Sequence, residues 1–321
     1  MKKKMELNKT ELIKLKKITA KGNKDNISRT VFYEDFFKRN PEIKWAFLAS
    51  MVSRNAGWSM GDLRGKWFAK LLSDEQIGTL FLTYERANWT IFEDAFPQLL
   101  LYEVSKQSNC SMMSALAEFN VSPFMQQEWE TFFECKDEER LMNALIINEQ
   151  HVIERPVLLH HAYEKKVFHS FLFNVQEWFH FSTVLFPTRH GKLYGITVKG
   201  FRHTKKRVEL GKKLAKLLFH PPLFPHFYEF AIKTPATGNR YDYEKYMRKS
   251  KEGPLLREAF PIVSHHQKEK VDWFKGRNKI SSMLSKEVDL PGTIDLTEWY
   301  EKKRSQIKVG VELENIFKPR G

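Results

Sequence analysis

Ionisable side chains interrupt the apolar faces of three predicted helices. Arg54 lies near the end of a helix predicted over residues 41–55, which is apolar on nearly all sides and is therefore expected to be buried. Glu85 and Glu149 share the faces of apolar residues on two further predicted helices. Because an unpaired buried charge is very costly, we expect the three helices to meet and Arg54 to pair with Glu85 or Glu149.

Amide side chains accompany these charges. Asn55, Asn88 and Asn148 each stand within three residues of one of them. The amides are expected to complete a hydrogen-bonded network that fixes the register of the helices. The alternative is a cleft in which the two glutamates act as a catalytic acid and base beside the arginine, as many hydrolases require. The sequence does not give the separation of the two carboxylates, and both alternatives stay open.

An aromatic, histidine-rich helix is predicted over residues 159–182. Within it, Glu177 and His180 have the i, i+3 spacing of half of a di-iron motif, and His169 lies on the same face. A complete site needs a second Glu-x-x-His and two further glutamates, and the second copy is missing. Histidines packed among aromatic rings or exposed to solvent are therefore favoured, and no metal site is predicted. The sequence has no glycine-rich phosphate loop and no nucleophile elbow, so it identifies no cofactor.

The net charge of +14 at pH 7 favours an anionic partner, because a strongly basic surface attracts nucleic acid or anionic lipid. Nine lysines face two glutamates in residues 1–24, and a second basic cluster covers residues 199–216. Nucleic-acid binding is the favoured function, with a peripheral membrane helix or a protein-interaction module as alternatives. Alternatively, these lysines only keep the protein soluble, and the basic clusters have no binding partner. The predicted anion-binding residues are Lys205, Lys206, Arg207, Lys212 and Lys213 of the second cluster, and Arg240 of the loop at 234–249.

Apolar periodicity predicts a mainly α-helical fold, a compact bundle-like domain of many helices. The exception is residues 184–201, where Val, Tyr, Ile and Thr flank a glycine-containing turn and predict a β-hairpin. We expect a basic, partly disordered N-terminal segment (1–27), a single helical domain (28–279) with an internal boundary near 120–137, and a loop-rich C-terminal segment (280–321).

Composition indicates the cellular setting. No stretch reaches the roughly 18 apolar residues of a membrane-spanning helix. The basic N-terminus has no apolar run after it, unlike a secretory signal. The two cysteines, Cys110 and Cys135, provide no disulfide framework. We therefore expect a cytoplasmic protein with reduced thiols.

Four sequence blocks carry a resemblance to a protein family. They are SRNAGWSMGDLRG (53–65), FLTYERANWTIFEDAFPQLLLYEVSK (81–106), ALIINEQHVIE (144–154) and TGNRYDYE (237–244). With them the chain resembles the uncharacterised YppC-like family of spore-forming Gram-positive bacteria, over about residues 30–250. The family has no established activity, so the resemblance implies an intracellular bacterial protein and no particular reaction. The blocks contain the predicted polar residues without indicating whether these are structural or catalytic.

Overall fold

The structure, a computed structural model, describes residues 7–154, 183–197, 203–266, 272–276 and 278–317. In this part of the chain the fold is mainly α-helical with one two-stranded hairpin, which confirms the predicted fold class. The helices are α1 (Lys9–Gly22), α2 (Asn26–Arg39), α3 (Lys44–Asp62), α4 (Phe68–Leu71), α5 (Asp74–Ser108), α6 (Pro123–Cys135), α7 (Glu138–Val152), α8 (Thr204–Leu218), α9 (Phe224–Lys233), α10 (Tyr241–Glu244), α11 (Leu256–Ala259), α12 (Asn278–Ser285) and α13 (Thr297–Phe317), with 3₁₀ segments at Met113–Phe119 and Lys245–Met247.

Helix α1 is fixed at its start and packed along one side. Asn8 and Glu11 form a capping box, in which each side chain accepts a hydrogen bond of 2.9 Å from the other residue's backbone N–H. The helix packs against α2 and α5. A Cβ at Gly22 would come within 2.6 Å of the Phe32 ring, so only glycine allows this close approach. The predicted N-terminal segment 1–27 therefore contains an ordered helix.

Helix α3 runs through the core, with α2 packed along it. Four consecutive residues, which point to different sides of the helix, are at most 2% exposed: Trp45, Ala46, Phe47 and Leu48. This confirms the expectation that a helix apolar on nearly all sides is buried. The helix ends where a later segment crosses it. A Cβ at Gly61 would collide with the carbonyl of Gly238, so glycine is required at this crossing.

Helix α5 is the longest helix of the described chain, with 35 residues. Ser73 and Gln76 form a capping box at its start, and Asn109 ends it in a left-handed conformation with φ of 51°. Pro97 is buried within the helix and does not end it. Like the other helices of the described chain, α5 does not combine the length and the apolar composition that crossing a membrane requires.

The hairpin pairs β1 (Thr183–Pro187) with β2 (Leu193–Thr197) in antiparallel register. Apart from Thr183, it lies within residues 184–201, where the sequence predicts a hairpin. Its turn is closed by the Thr188 N–H, which donates to the Lys192 carbonyl at 2.9 Å. Gly191 has a φ of +77° in this turn, and a Cβ there would also press on the backbone of a neighbouring segment. Glycine is therefore required at this position of the turn.

The C-terminal region contains more helix than the loop-rich prediction for 280–321 allowed. Asp295 accepts a hydrogen bond of 2.9 Å from the Thr297 N–H, so it caps the first turn of α13. Tyr300 is fully buried, and its hydroxyl donates to Glu244 at 2.6 Å. The sequence predicts a short helix near 296–307 within this segment, and the helix of the structure begins there and continues to Phe317.

Candidate functional site

Arg54 pairs with Glu34 of α2, not with Glu85 or Glu149. The guanidinium lies 3.4 Å from the Glu34 carboxylate, and the Arg54 side chain is only 2% exposed. Burial lowers the pKa of Arg54, and the Glu34 charge opposes that shift. The predicted pairing is therefore wrong, although the prediction that Arg54 is buried with an acidic partner is confirmed.

Backbone carbonyls complete the environment of Arg54. The guanidinium donates to the carbonyl oxygens of Ala231 at 3.1 Å and Thr234 at 2.7 Å, where α9 ends. It also lies over the Phe230 ring, 5.5 Å from its centroid. Carbonyls at a helix C-terminus lack intrahelical donors and carry partial negative charge. Arg54 therefore joins α3 to the end of α9.

Glu85 belongs to a different ion pair, with Arg29 of α2. Arg29 donates two hydrogen bonds to the two carboxylate oxygens, one of them at 2.9 Å, and both side chains are almost fully buried. Asn23 accepts a further hydrogen bond of 2.6 Å from Arg29. Burial raises the pKa of Glu85, but His265 and Arg29 outweigh it, and the pKa lies below its ordinary value. His265 acts through proximity, because its Nε2 lies 3.7 Å from the carboxylate, too far for a hydrogen bond.

A groove of about 160 Å³ opens beside Glu85. At its side, Arg257 binds both carboxylate oxygens of Asp25, at 2.7 and 3.0 Å. The rings of Phe81 and Phe260 stack with their centroids 4.0 Å apart. Of the three predicted catalytic residues, only Glu85 is among the residues that line this groove. The lining residues are Lys24, Asp25, Asn26, Phe81, Glu85, Leu256, Arg257, Phe260, Pro261, Ile262 and Val263.

Glu149 occupies a third environment. Its carboxylate accepts hydrogen bonds from the Trp45 indole N–H at 3.1 Å and from the Gln150 amide at 3.0 Å. Burial raises the pKa of Glu149 to about 7, although these two hydrogen bonds oppose the shift. The buried Tyr33 hydroxyl has no hydrogen-bond partner in the described chain. Burial raises the pKa of Tyr33, and the negative charge of Glu149 adds to this shift.

Asn148 belongs to a buried network that the sequence analysis found only in part. Its amide N–H donates to Asp94 at 2.6 Å, and Asp94 also accepts from Gln98 at 2.8 Å. The Gln98 carbonyl accepts from the Trp129 indole at 2.8 Å, and the Asn148 carbonyl accepts from the Trp273 indole at 3.0 Å. Asp94 and Gln98 were missed, yet their i, i+4 spacing among apolar residues was a signal for a shared polar contact.

The other two predicted amides have local roles. Asn55 donates to the Leu185 carbonyl at 2.7 Å and accepts from the Leu185 N–H at 2.8 Å, so it pairs with the backbone of β1. Asn88 is half-buried and donates to the Tyr84 carbonyl one turn earlier, at 2.8 Å. A buried polar network is therefore confirmed, but it is divided among separate ion pairs and amide clusters.

Three of the predicted anion-binding residues are buried in protein contacts. Arg207 donates to the Gln150 side chain at 3.1 Å, and burial lowers its pKa. Arg240 is ion-paired with Asp62 and is 5% exposed. Lys212 is 6% exposed, and burial lowers its pKa. These three residues do not form the predicted basic surface, because their side chains are buried and bind other groups of the protein.

Lys212 has a defined structural task. Its ammonium donates to the carbonyls of Met283 at 2.6 Å, Leu284 at 3.0 Å and Lys286 at 2.9 Å. It therefore caps the C-terminal end of α12. Of the other residues in the predicted set, Lys205 and Lys206 are exposed and Lys213 is half-buried.

The solvent side of α1 carries the other predicted basic surface. Five exposed lysines lie on this helix and Lys24 follows just after its end, and none of the six forms an ion pair within the described chain. We call this set the α1 basic face: Lys9, Lys14, Lys16, Lys17, Lys21 and Lys24. The metal candidates His169, Glu177 and His180 lie outside the described residues.

Stability should depend on pH through Glu149. Its pKa rises from the ordinary 4.5 to about 7 in the folded protein. Between these values the folded state binds more protons than the unfolded state, so stability falls as pH increases. Glu149→Gln removes this penalty and should raise the free energy of unfolding at pH 8 by about 1–3 kcal/mol, with little gain at pH 4.

Urea unfolding at the two pH values measures this effect. Glu134→Gln, on an exposed position of α6, is the control and should leave the pH dependence unchanged. Parallel pH profiles for wild type and Glu149→Gln would contradict the assignment of a raised pKa to Glu149.

The chain belongs to the family described as "Protein of unknown function (DUF2515)", whose model matches residues 21–301. The family description assigns no activity to its members. The chain is similar to "Uncharacterized protein YppC" of Bacillus subtilis (strain 168), with 46% identity over 309 residues and 96% of each chain covered. The family resemblance of the four sequence blocks is thereby confirmed. No solved structure matches the chain.

Proposed function

We propose that the protein binds nucleic acid through the α1 basic face. The supporting observation is that its six exposed lysines form no ion pairs within the described chain. Glu11, the one acidic residue of α1, is engaged in the capping box at the start of the helix. The five lysines of the helix outnumber this one carboxylate, so α1 presents excess positive charge on its solvent side. Neutralisation of phosphates by such lysines drives nucleic-acid binding.

The packing of α1 favours a polyanion over a lipid surface. A helix that inserts into a membrane interface needs an exposed apolar face. Leu15 is only 6% exposed because it packs into the core. Ile13, 45% exposed, is the one large apolar side chain that α1 turns to solvent. The family match begins at residue 21, so this binding is proposed for this chain rather than for the family.

The experiment compares wild type with a variant that combines Lys14→Gln, Lys17→Gln and Lys21→Gln. These lysines lie on the solvent side of α1, so the substitutions should not disturb the fold. We expect at least about a tenfold loss of affinity for a fluorescent DNA duplex at low salt, because the phosphate contacts supply most of such binding.

A matched control keeps the net charge equal. Lys70→Gln, Lys251→Gln and Lys275→Gln together remove three exposed lysines that lie outside α1. This control should bind the duplex like wild type. Equal losses in both variants would mean that only net charge matters. Binding to anionic vesicles that is lost in the α1 variant, without any binding to DNA, would identify a membrane surface instead. Either result rejects the proposal.

A second candidate function is enzymatic and uses Glu149. A carboxyl group whose pKa is about 7 can both release and accept a proton near neutral pH. Arg54 and Glu85 have their own partners, so the predicted three-residue catalytic site becomes a single acid–base candidate. A panel of chromogenic ester, phosphate and glycoside substrates tests it. Turnover by wild type that is lost in Glu149→Gln supports the role, and equal turnover excludes it.

A further inference from the structure

Two exposed histidines and a glutamate meet where the hairpin turn approaches α9. His190 lies in the turn between β1 and β2, and His226 and Glu229 lie on α9. One potential ligand atom from each of the three side chains lies within 4.8 Å of the others. The two imidazole rings are 5.4 Å apart between centroids and nearly perpendicular, at 81°. None of these residues belongs to the networks described above.

We propose that His190, His226 and Glu229 form a site for a divalent transition-metal ion, with Zn²⁺ as its reference ligand. Two imidazoles and one carboxylate are a common zinc donor set, and three protein ligands leave a position for water. Two ligand atoms of a tetrahedral zinc ion lie about 3.4 Å apart, since each bond is about 2.1 Å long. Shifts of less than about 1 Å in the exposed side chains bring the three ligand atoms to this spacing.

The elements that carry the ligands are held firmly against each other. Phe227 of α9 is fully buried between Phe186 and Tyr194 of the hairpin, with ring centroids 5.6 and 5.7 Å away. His226 precedes Phe227, and Glu229 follows His226 by three residues, so both lie on the side of α9 near the turn. The site is therefore placed by the core packing and does not need a rearrangement of the backbone.

The carboxylate of Glu229 is already negative and has one oxygen available. Arg189 donates to its Oε1 at 3.2 Å, and Lys233 donates to the same oxygen at 2.9 Å. Its Oε2 accepts no hydrogen bond in the described chain. The two cations weaken the attraction of Glu229 for a metal ion, so the two imidazoles contribute most of the affinity. Imidazole ligands favour Zn²⁺, Cu²⁺ and Ni²⁺ over Mg²⁺ or Ca²⁺.

The test measures Zn²⁺ binding to full-length, tag-free protein that has been stripped with a chelator. Zn²⁺ is titrated in competition with a chromophoric zinc indicator. Because the chain has other histidines, the readout is the difference between proteins rather than the total. His190→Ala and His226→Ala should each bind one equivalent fewer than wild type. Glu229→Gln should keep the equivalent with at least about tenfold weaker affinity.

His203→Ala is the control, because His203 is exposed and lies at the start of α8, outside the site. It should bind Zn²⁺ like wild type. Wild-type stoichiometry and affinity in either histidine variant would overturn the site, and an unchanged affinity in Glu229→Gln would overturn the three-ligand assignment. Zn²⁺ should also raise the melting temperature of wild type but not of His226→Ala, since the ion binds only the folded arrangement.

Discussion

Glu85→Gln is expected to lower the free energy of unfolding by roughly 3–5 kcal/mol. The substitution removes the charge that compensates Arg29, whose side chain is 1% exposed. A buried guanidinium without a carboxylate keeps its desolvation cost and loses most of the attraction that offset it. Urea unfolding monitored by tryptophan fluorescence gives the free energy of unfolding for both proteins.

The matched control is Glu103→Gln, because Arg39 and Glu103 join the same two helices, α2 and α5. Their hydrogen bonds are 2.6 and 3.3 Å long, but the Arg39 side chain is 52% exposed. A surface pair of this kind contributes at most about 1 kcal/mol. Equal losses for Glu85→Gln and Glu103→Gln would contradict the assignment of Glu85 to a buried pair.

Arg54→Met should lower the free energy of unfolding by about 2–4 kcal/mol, because it leaves buried hydrogen-bond acceptors without donors. The carbonyls of Ala231 and Thr234 lose their hydrogen bonds to the guanidinium. Glu34 keeps an ion pair with Lys38 at 2.7 Å, so the effect should be smaller than that of Glu85→Gln. The measurement is again the free energy of unfolding in urea.

Arg39→Met is the control for Arg54→Met, since both substitutions remove one arginine from the α2–α3 region and only Arg54 is buried. Arg39→Met should lower the free energy of unfolding by no more than about 1 kcal/mol. If Arg54→Met also lowers it by less than about 1 kcal/mol, the contacts of Arg54 with the end of α9 do not stabilise the fold.

Local sequence patterns were sufficient to predict the helices and the hairpin, but not which residues of other elements they contact. Apolar periodicity indicated that α3 is buried, and alternation around a glycine turn indicated the hairpin. Periodicity also selected Arg54 and Glu85 as buried charges. It could not identify Glu34 or Arg29 as their partners, because those contacts depend on which face of α2 each helix touches. The chain separation of 56 residues between Arg29 and Glu85 carries no local signal.

In the basic cluster on α8, the helical phase of each lysine indicates whether it is buried, but the predicted basic surface was based on charge alone. Lys212 was counted with the surface lysines because its neighbours are basic. Its spacing from Val208 and Ala215, i−4 and i+3, places it on the buried face of the helix, where it is only 6% exposed. Charge counts predict a basic surface, but only helical phase separates lysines that face solvent from lysines that cap another element.

Binding of nucleic acid by the α1 basic face is tested most directly by the salt dependence of the affinity. For a DNA duplex, the logarithm of the association constant falls linearly with the logarithm of salt concentration, with a slope of about −0.9 for each neutralised phosphate. The variant with Lys14→Gln, Lys17→Gln and Lys21→Gln should therefore show a slope shallower than wild type by about 2.7. Equal slopes for wild type and this variant would contradict the assignment of the binding surface to α1.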